Sequence, residues 1–353
     1  VKKAIIYLFL FLNFLAIIAL LISYISVFIP PDKLWISSFF GLAFPFFVLA
    51  NILFIVIWAL FKPKFLFFSL VTVLVGWGFV NRYVQFSGKN TEKEGIKVVS
   101  YNVQNFPGKK EDDQKASASK VLEFLNKKNT DIICIQEIKL RNKKIFNIAD
   151  VVTRLKSIKH YHYASNGATF GLATFTSYPV IKMGEIRYQN SPNMAIFTDV
   201  LIGSDTVRIF NVHLQSYNID PRKYDIIDSP GIDEKKDIRE IRAIGGKLKK
   251  AFKLRAGQVR EIRQVIDETP YPVIICGDFN DTPVSYTYQI LRGDFKDAFV
   301  ESGKGFVRTY IGKLPSYRID NIFYSDAFES YNFNSENFRA SDHLPVSCLL
   351  IKK

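Results

Sequence analysis

The sequence predicts an α/β (α+β) fold, two packed mixed β-sheets with helices outside, preceded by an N-terminal transmembrane helical region. Three observations carry this expectation. Three long, nearly uncharged apolar runs crowd the first 86 of 353 residues. Beyond residue 95, apolar runs rich in β-branched residues alternate with segments of helical spacing. Several strands there follow one another directly, which favours packed sheets over a doubly wound parallel sheet. Six times in that region an apolar strand carries an acid, an amide or an imidazole at its end.

Residues 4–30, 34–61 and 65–84 form the apolar runs, each long enough for a bilayer core of ~30 Å at ~1.5 Å per residue. They read as three transmembrane helices within residues 1–86, the third weakened at its end by Gly76, Trp77, Gly78 and Asn81. The first run is too long for a signal peptide, ends in Ile29-Pro30-Pro31 rather than in small residues, and is followed by two more. Lys2 and Lys3 precede the first span, and Lys62 and Lys64 fill the second connection. The excess of basic residues in short loops puts these on the cytoplasmic side. With three spans in an inner or plasma membrane, the remaining domain is expected to be periplasmic or extracellular.

Residues 87–95 are polar, with Ser, Gly and Asn, and read as a linker to a domain over 96–353. Strands are expected at 96–102 and 131–136, separated by a helix at 115–128 whose Val121, Leu122 and Leu125 have helical spacing. Further strands follow at 172–175, 193–201 and 207–213, the last two forming a hairpin about Gly203-Ser204. A long surface loop over 215–236 leads to a basic amphipathic helix at 238–266, with a break expected at Gly245-Gly246. Strands at 273–276, 318–324 and 345–351 complete the domain.

The strand ends supply the chemistry. Asn102 closes the first strand, Glu137 the second, and Asn211 and His213 the strand from Val207. Gly277 releases Asp278 and Asn280, Asp320 follows Arg318-Ile319, and Ser341-Asp342-His343 opens the last strand. Each has an ordinary structural alternative: Asn102 and Asp278 as turn formers, Asp320 paired with Arg318, Asp342 as a helix cap, His213 as a core histidine. Together they form a set of hard oxygen donors with two imidazoles, which suits Mg²⁺, Mn²⁺ or Ca²⁺. With four His in the chain, and Cys134, Cys276 and Cys348 each inside an apolar run without zinc-ligand spacing, a zinc site and a disulfide framework are both disfavoured.

Residues ~96–351 resemble the endonuclease/exonuclease/phosphatase superfamily, the deoxyribonuclease I-like fold, as a membrane-anchored bacterial-type member. The motifs are Ser100-Tyr101-Asn102, Ile135-Gln136-Glu137, Asn211-Val212-His213, Gly277-Asp278-Phe279-Asn280, Arg318-Ile319-Asp320 and Ser341-Asp342-His343. The resemblance implies a four-layer sandwich and a Mg²⁺- or Mn²⁺-dependent phosphoesterase site. It implies Glu137 as a metal ligand with Asn102 and Asp342 close to the ion, and Asp278 as the base for the attacking water beside Asn280. It also implies His343 as a phosphate donor oriented by Asp320, and His213 as a binder or acid opposite. Some members support the His213 position with a carboxylate from a segment before a proline. The comparable stretch, Ser177-Tyr178-Pro179, offers Tyr178 instead.

Eight basic and three acidic residues give residues 1–94 a charge of +5, leaving +9 of the chain's +14 on the domain. That surplus, with the basic helix around Lys247, Lys249, Lys250, Lys253, Arg255, Arg260 and Arg263, leans toward a nuclease-like phosphodiesterase. Phospholipid, sphingomyelin or a phosphorylated small molecule is the alternative substrate, since basic residues also suit an anionic bilayer. A catalytically inactive interaction module is disfavoured because every motif keeps its reactive residue. No protein partner is inferable.

Overall fold

The computed structural model describes residues 2–108, 110–139, 148–167, 171–219, 234–312 and 317–353. Of the expected 215–236 loop, residues 220–233 lie outside the described residues.

The N-terminal unit contains helices α1 (Lys2–Ser26), α2 (Ile36–Leu42), α3 (Phe44–Phe61), α4 (Leu66–Val75) and α5 (Trp77–Val80). Two helices, Lys3–Ser26 and Phe44–Phe61, are long and apolar enough to cross a membrane. Hydrogen bonds set their pairing: Trp58 Nε1 donates to Asn13 Oδ1 at 2.8 Å, Asn51 Nδ2 to the Ala16 carbonyl at 3.0 Å, and Asn13 Nδ2 to Ser69 Oγ at 2.6 Å. α1 therefore runs antiparallel to α3 and alongside α4, and polar side chains join helices whose outer faces are apolar.

The expected second span is divided. Pro45, in the first turn of α3, lacks the N–H that would continue α2 through Ala43, so the short α2 stands as a separate helix. The expected third span over 65–84 is also two helices, α4 of 10 residues and α5 of 4, meeting at Gly76. A Cβ on Gly76 would stand 2.0 Å from the Tyr24 ring, so the glycine lets α4 close onto α1.

Two six-stranded sheets build the domain. The first has the order β13 (Phe328–Ser335), β14 (Val346–Lys352), β2 (Ile96–Asn102), β3 (Ile132–Ile138), β5 (Gly171–Thr176), β4 (His160–Ser165). The second has the order β10 (Lys296–Asp297), β12 (Asp320–Tyr324), β9 (Val273–Asp278), β8 (Asp205–His213), β7 (Met194–Ile202), β6 (Val180–Arg187). A small pair, β1 (Val84–Gln85) with β11 (Gly305–Phe306), joins the N-terminal unit to the domain.

The sheets pack face to face through Val98, Cys134, Ile209, Ile274, Cys276 and Ile322. Helices α6 (Glu111–Lys128) and α7 (Ile148–Arg154) cover the first sheet through Val121, Leu125 and Val151. Helices α8 (Glu234–Asp267) and α9 (Tyr286–Arg292) cover the second through Ala256, Val259, Ile262 and Leu291. The layer order is the expected helix–sheet–sheet–helix, with α10 (Ala298–Ser302) at the sheet rim. All three cysteines are buried and unbridged.

Residue parity explains why the reactive groups lie between the sheets. Ile274 and Cys276 face the inter-sheet core while Val273 and Ile275 face α8, so Asp278 continues the inner row. The same period carries Val98 to Asn102 on β2 and Ile209 to His213 on β8. Gly277 has φ 148°, and a Cβ there would lie 2.0 Å from the Val212 carbonyl oxygen of β8. Replacing Gly277 with Ala should therefore destabilise the chain by about 3 kcal/mol or more, read as a lowered thermal midpoint of the detergent-solubilised protein.

Candidate active site

β2 pairs parallel with β3, and β8 pairs parallel with β9, so Asn102, Glu137, His213 and Asp278 sit at carboxyl ends on one edge of the sandwich. β12 and β14 run antiparallel to their neighbours, which brings their amino ends, with Asp320 and His343, to the same edge. His213, Asp278 and Asp320 occupy successive register positions across β8, β9 and β12. Strand direction thus converts six separated sequence motifs into one cluster.

Asp278 is the centre. Its Oδ1 accepts the Asn280 backbone N–H at 2.8 Å, as an ordinary turn aspartate would. Its Oδ2 faces the cleft, accepting from Asn102 Nδ2 at 3.0 Å and Asn280 Nδ2 at 3.2 Å. His343 Nε2 and His213 Nε2 stand 3.7 and 3.8 Å from that oxygen. The turn role and the site role belong to different oxygens of one carboxylate.

His343 is held by Asp320, Nδ1 to Oδ2, at 2.9 Å. Asp320 does not pair with Arg318: that guanidinium is buried and donates to Asp297 at 2.7 Å, to Asn321 at 2.6 Å and to the Arg82 carbonyl at 3.0 Å. Thr309 Oγ1 accepts from the backbone N–H groups of Ile319 and Asp320 and fixes the start of β12. Tyr310 places its ring edge-on to His343, centroids 5.3 Å apart.

On the other side, Asn102 Nδ2 also donates to Glu137 Oε1 at 3.2 Å, and His213 Nε2 lies 3.4 Å from that oxygen. Glu137 sits at a register shift between Ile135 and Ile138, with φ 54°, which turns its carboxylate out of the regular alternation and into the cleft. Asp342 accepts from Gln104 Nε2 at 2.9 Å, and the Gln104 backbone N–H donates to Asn102 Oδ1 at 3.0 Å. All eight expected site residues thus meet at one cleft edge.

The cleft's charge is uneven. Burial lifts the Glu137 carboxyl above its ordinary value and pushes Asp278 up to about 6. Burial holds His213 below the usual imidazole value, so its ring is neutral at pH 7. Burial also disfavours a charged His343, but Asp320 and Asp278 outweigh it and raise that ring to about 10. Asp278, Asp320 and His343 could offer ligand atoms within 4.8 Å of one another, but that corner already carries the His343 cation. The Glu137 and Asp342 side has hard oxygens without such a partner, and the buried Nε2 of His213 beside it has no hydrogen bond. A hard divalent cation fits this side. Asn102, whose oxygen is taken by Gln104, would steady Glu137 and Asp278 next to the ion.

The segment compared with the family's carboxylate support lies away from His213, and several contacts of the site carried no sequence signal. Ser177 donates its N–H to the Asp131 carbonyl, at the opposite end of β3 from Glu137, so Tyr178 is remote from His213 and packs in the inter-sheet core. Asn211 does not enter the cleft; it accepts from Gln136 Nε2 at 2.8 Å and donates to the Ile135 and Ala173 carbonyls, clasping the two sheets. Gln104, Thr309 and Tyr310 carried no strand-end signal. Five of the seven α8 cations named from the sequence have partners within the chain. Arg255 is fully buried and donates to Asp281 at 3.1 Å and the Gln215 carbonyl at 2.8 Å. Arg260 pairs with Asp32, Lys249 lies over the Trp35 ring, Lys247 donates to the Asn218 carbonyl, and Arg263 pairs with Asp267.

Comparison with known proteins agrees with this architecture. The model of the Endonuclease/Exonuclease/phosphatase family matches residues 99–343, and a domain of unknown function matches residues 6–83. Among solved structures, truncated Caenorhabditis elegans TDP2 is similar at TM-score 0.51 and 18% identity, covering 72% of this chain and 97% of that one. The endonuclease/exonuclease/phosphatase from Bacteroides vulgatus is similar at TM-score 0.51 and 15% identity, covering 74% and 100%. The human Nocturnin catalytic domain is similar at TM-score 0.50 and 15% identity, covering 73% and 95%. At these identities the likeness is one of fold. No match was found among curated proteins.

Proposed function

This chain belongs to the endonuclease/exonuclease/phosphatase family, and from that premise we propose that it is a membrane-anchored, divalent-metal-dependent phosphodiesterase. The observation that carries the reading is the environment of Asp278 Oδ2, a buried carboxylate oxygen facing two imidazoles and two carboxamides at a cleft.

Glu137 would hold Mg²⁺ or Mn²⁺ with Asp342 close by, and the bound ion would polarise a phosphoryl oxygen and offset the charge that develops on it. Asp278 Oδ2 takes a proton from the attacking water, which Asn280 helps to place. His343, kept protonated by Asp320, donates from Nε2 to a phosphate oxygen, and the neutral His213 orients the opposite side. The attacking oxygen bonds to phosphorus, the bond from phosphorus to the leaving oxygen breaks, and the leaving alcohol gains a proton. The products are a phosphomonoester and an alcohol.

Lys2 and Lys3 start α1 and Lys62 and Lys64 follow α3, at the ends of the helices remote from the domain. With α4 and α5 together carrying the chain back across the bilayer, the excess of basic residues in short loops supports a cytoplasmic position for those ends and a periplasmic or extracellular domain. The nucleic-acid reading rests on the domain's +9 charge together with α8, five of whose cations serve internal contacts.

The test uses the full chain in detergent with bis(p-nitrophenyl) phosphate. Hydrolysis should stop with EDTA and return with Mg²⁺, and Glu137→Gln should weaken the Mg²⁺ concentration dependence at least ~100-fold, the upper range for losing a supporting group. Turnover indifferent to EDTA would overturn the metal-dependent reading.

A further inference from the structure

The cavity at Asp278 has both polar and apolar lining. Glu137, Asp278, Asn280, Asp342 and His343 line the bottom of a cavity of ≈ 420 Å³. Leu42, Ile219, Ile244, Leu248, Tyr317 and Ile319 give it an apolar side, and Gln104, Ser216, Asn218 and Thr282 add polar groups. Leu42 is the last residue of α2, so the N-terminal helical unit supplies part of the wall around the reacting groups.

That wall is held firmly. Tyr317 Oη donates to the Leu42 carbonyl at 3.1 Å. A Cβ on Gly41 would lie 2.3 Å from the Val284 carbonyl oxygen, so α2 meets the segment after β9 backbone to backbone. Val284 is buried in the helical unit's own core with Leu20, Phe44 and Tyr83. Arg82 donates to the Pro283 carbonyl at 3.0 Å and to Gln289 at 2.9 Å. Phe39 packs edge-on against Phe252 of α8.

Next to this cavity lies an apolar groove over the helices. Leu42 and Tyr317 line both, and Phe39, Phe40, Phe46 and Phe47 line the rest of the groove. Phe46 is 57% and Leu49 62% exposed on α3, one of the two helices suited to a bilayer. Among the described residues, apolar side chains thus extend from the helix surface to the cavity that holds the carboxylates.

We propose that the substrate is a membrane-resident amphiphile, its phosphodiester on the Asp278 floor and its apolar chain along Leu42 and the α2–α3 groove. This rests on the phosphodiesterase reading and names the substrate class of the same site. Hydrolysis is the reaction given above, with water bonding to phosphorus and one ester oxygen leaving as the alcohol. The apolar chain contributes binding by leaving water for the Leu42, Ile244 and Leu248 wall.

The experiment uses the full chain in lipid nanodiscs with p-nitrophenyl butyl, octyl and dodecyl phosphates and a single-stranded oligonucleotide. From butyl to dodecyl, kcat/KM should rise at least ~10-fold, a modest share of the gain available to fully buried methylenes. Leu42→Gln should flatten that rise and Leu42→Met should keep it. A rise that survives Leu42→Gln would assign the effect to partition into the bilayer and overturn the path. A flat series, with butyl ester turnover still lost in Asp278→Asn, would overturn the amphiphile and leave the phosphodiesterase standing. So would an oligonucleotide cleaved faster than every ester. No turnover of any diester would defeat the phosphodiesterase reading and this inference with it.

Discussion

Asp278→Asn should lower kcat by about 10²–10⁴-fold, the range for removing a positioned general base, while making the metal-free protein more stable. The substitution keeps the shape and the oxygen that accepts the Asn280 N–H, but removes a charge from a fully buried site. The direction follows from linkage. Burial raises the folded-state carboxyl from 3.8 to about 6, so between those values the native state binds more protons than the unfolded state. The charge therefore costs stability at pH 7, and that cost is relieved as pH falls from about 6 toward 4. Two units correspond to at most about 3 kcal/mol, and about 1–3 kcal/mol is expected on neutralisation. Thermal midpoints of EDTA-treated protein at pH 5 and 7 check this: wild type should gain from this group on acidification, and the variant should be higher at pH 7 and less responsive. A variant less stable than wild type at pH 7 would mean that Asp278 is held for structure rather than strained for chemistry.

Asp320→Asn should cost about 10²–10⁴-fold in kcat, the scale seen when the carboxylate behind a catalytic imidazole is made neutral, and should move the alkaline limb of the pH–rate profile. His343 is lifted to about 10 because Asp320 and Asp278 outweigh the burial that disfavours its charge. As a donor it works protonated, so activity falls as pH rises through its pKa. With Asp320 neutral, burial gains weight and that loss should begin at lower pH. On the acid side, activity should rise with pH as Asp278 loses its proton, at or below about 6. An alkaline limb that stays in place in the variant would remove Asp320 from control of His343.

The central strands were legible because they are buried on both faces and read as continuous apolar runs. Ile96–Asn102 forms as expected, and Val273–Asp278 extends the expected strand by two residues to reach the acid itself. The unanticipated strands are mostly at sheet edges. His160–Ser165, Val180–Arg187 and Phe328–Ser335 each end a sheet, face solvent on one side and carry polar residues that blur an apolar pattern. Gly245-Gly246 does not break α8, which runs unbroken from Glu234 to Asp267. The cost of two helical glycines, roughly 1 kcal/mol each, is outweighed by the burial of Phe252, Ala256 and Val259 further along the same face.

The sequence by itself determined which reactive groups exist, their order, and which face of each strand they share, because β-strand side chains alternate with a period of 2 and the apolar partners mark the buried face. It also determined that an apolar helical region precedes the domain. Only the tertiary structure decided which strand ends meet, since Asn102 and Asp278 are 176 residues apart and come into contact through strand direction and register. It decided that Tyr178 lies at the far edge, that five cations of α8 are engaged within the chain, and that Leu42 of the helical unit lines one cavity with Glu137, Asp278 and Asp342. These are long-range contacts, and local pattern carries no information about which distant segment will fill a given face.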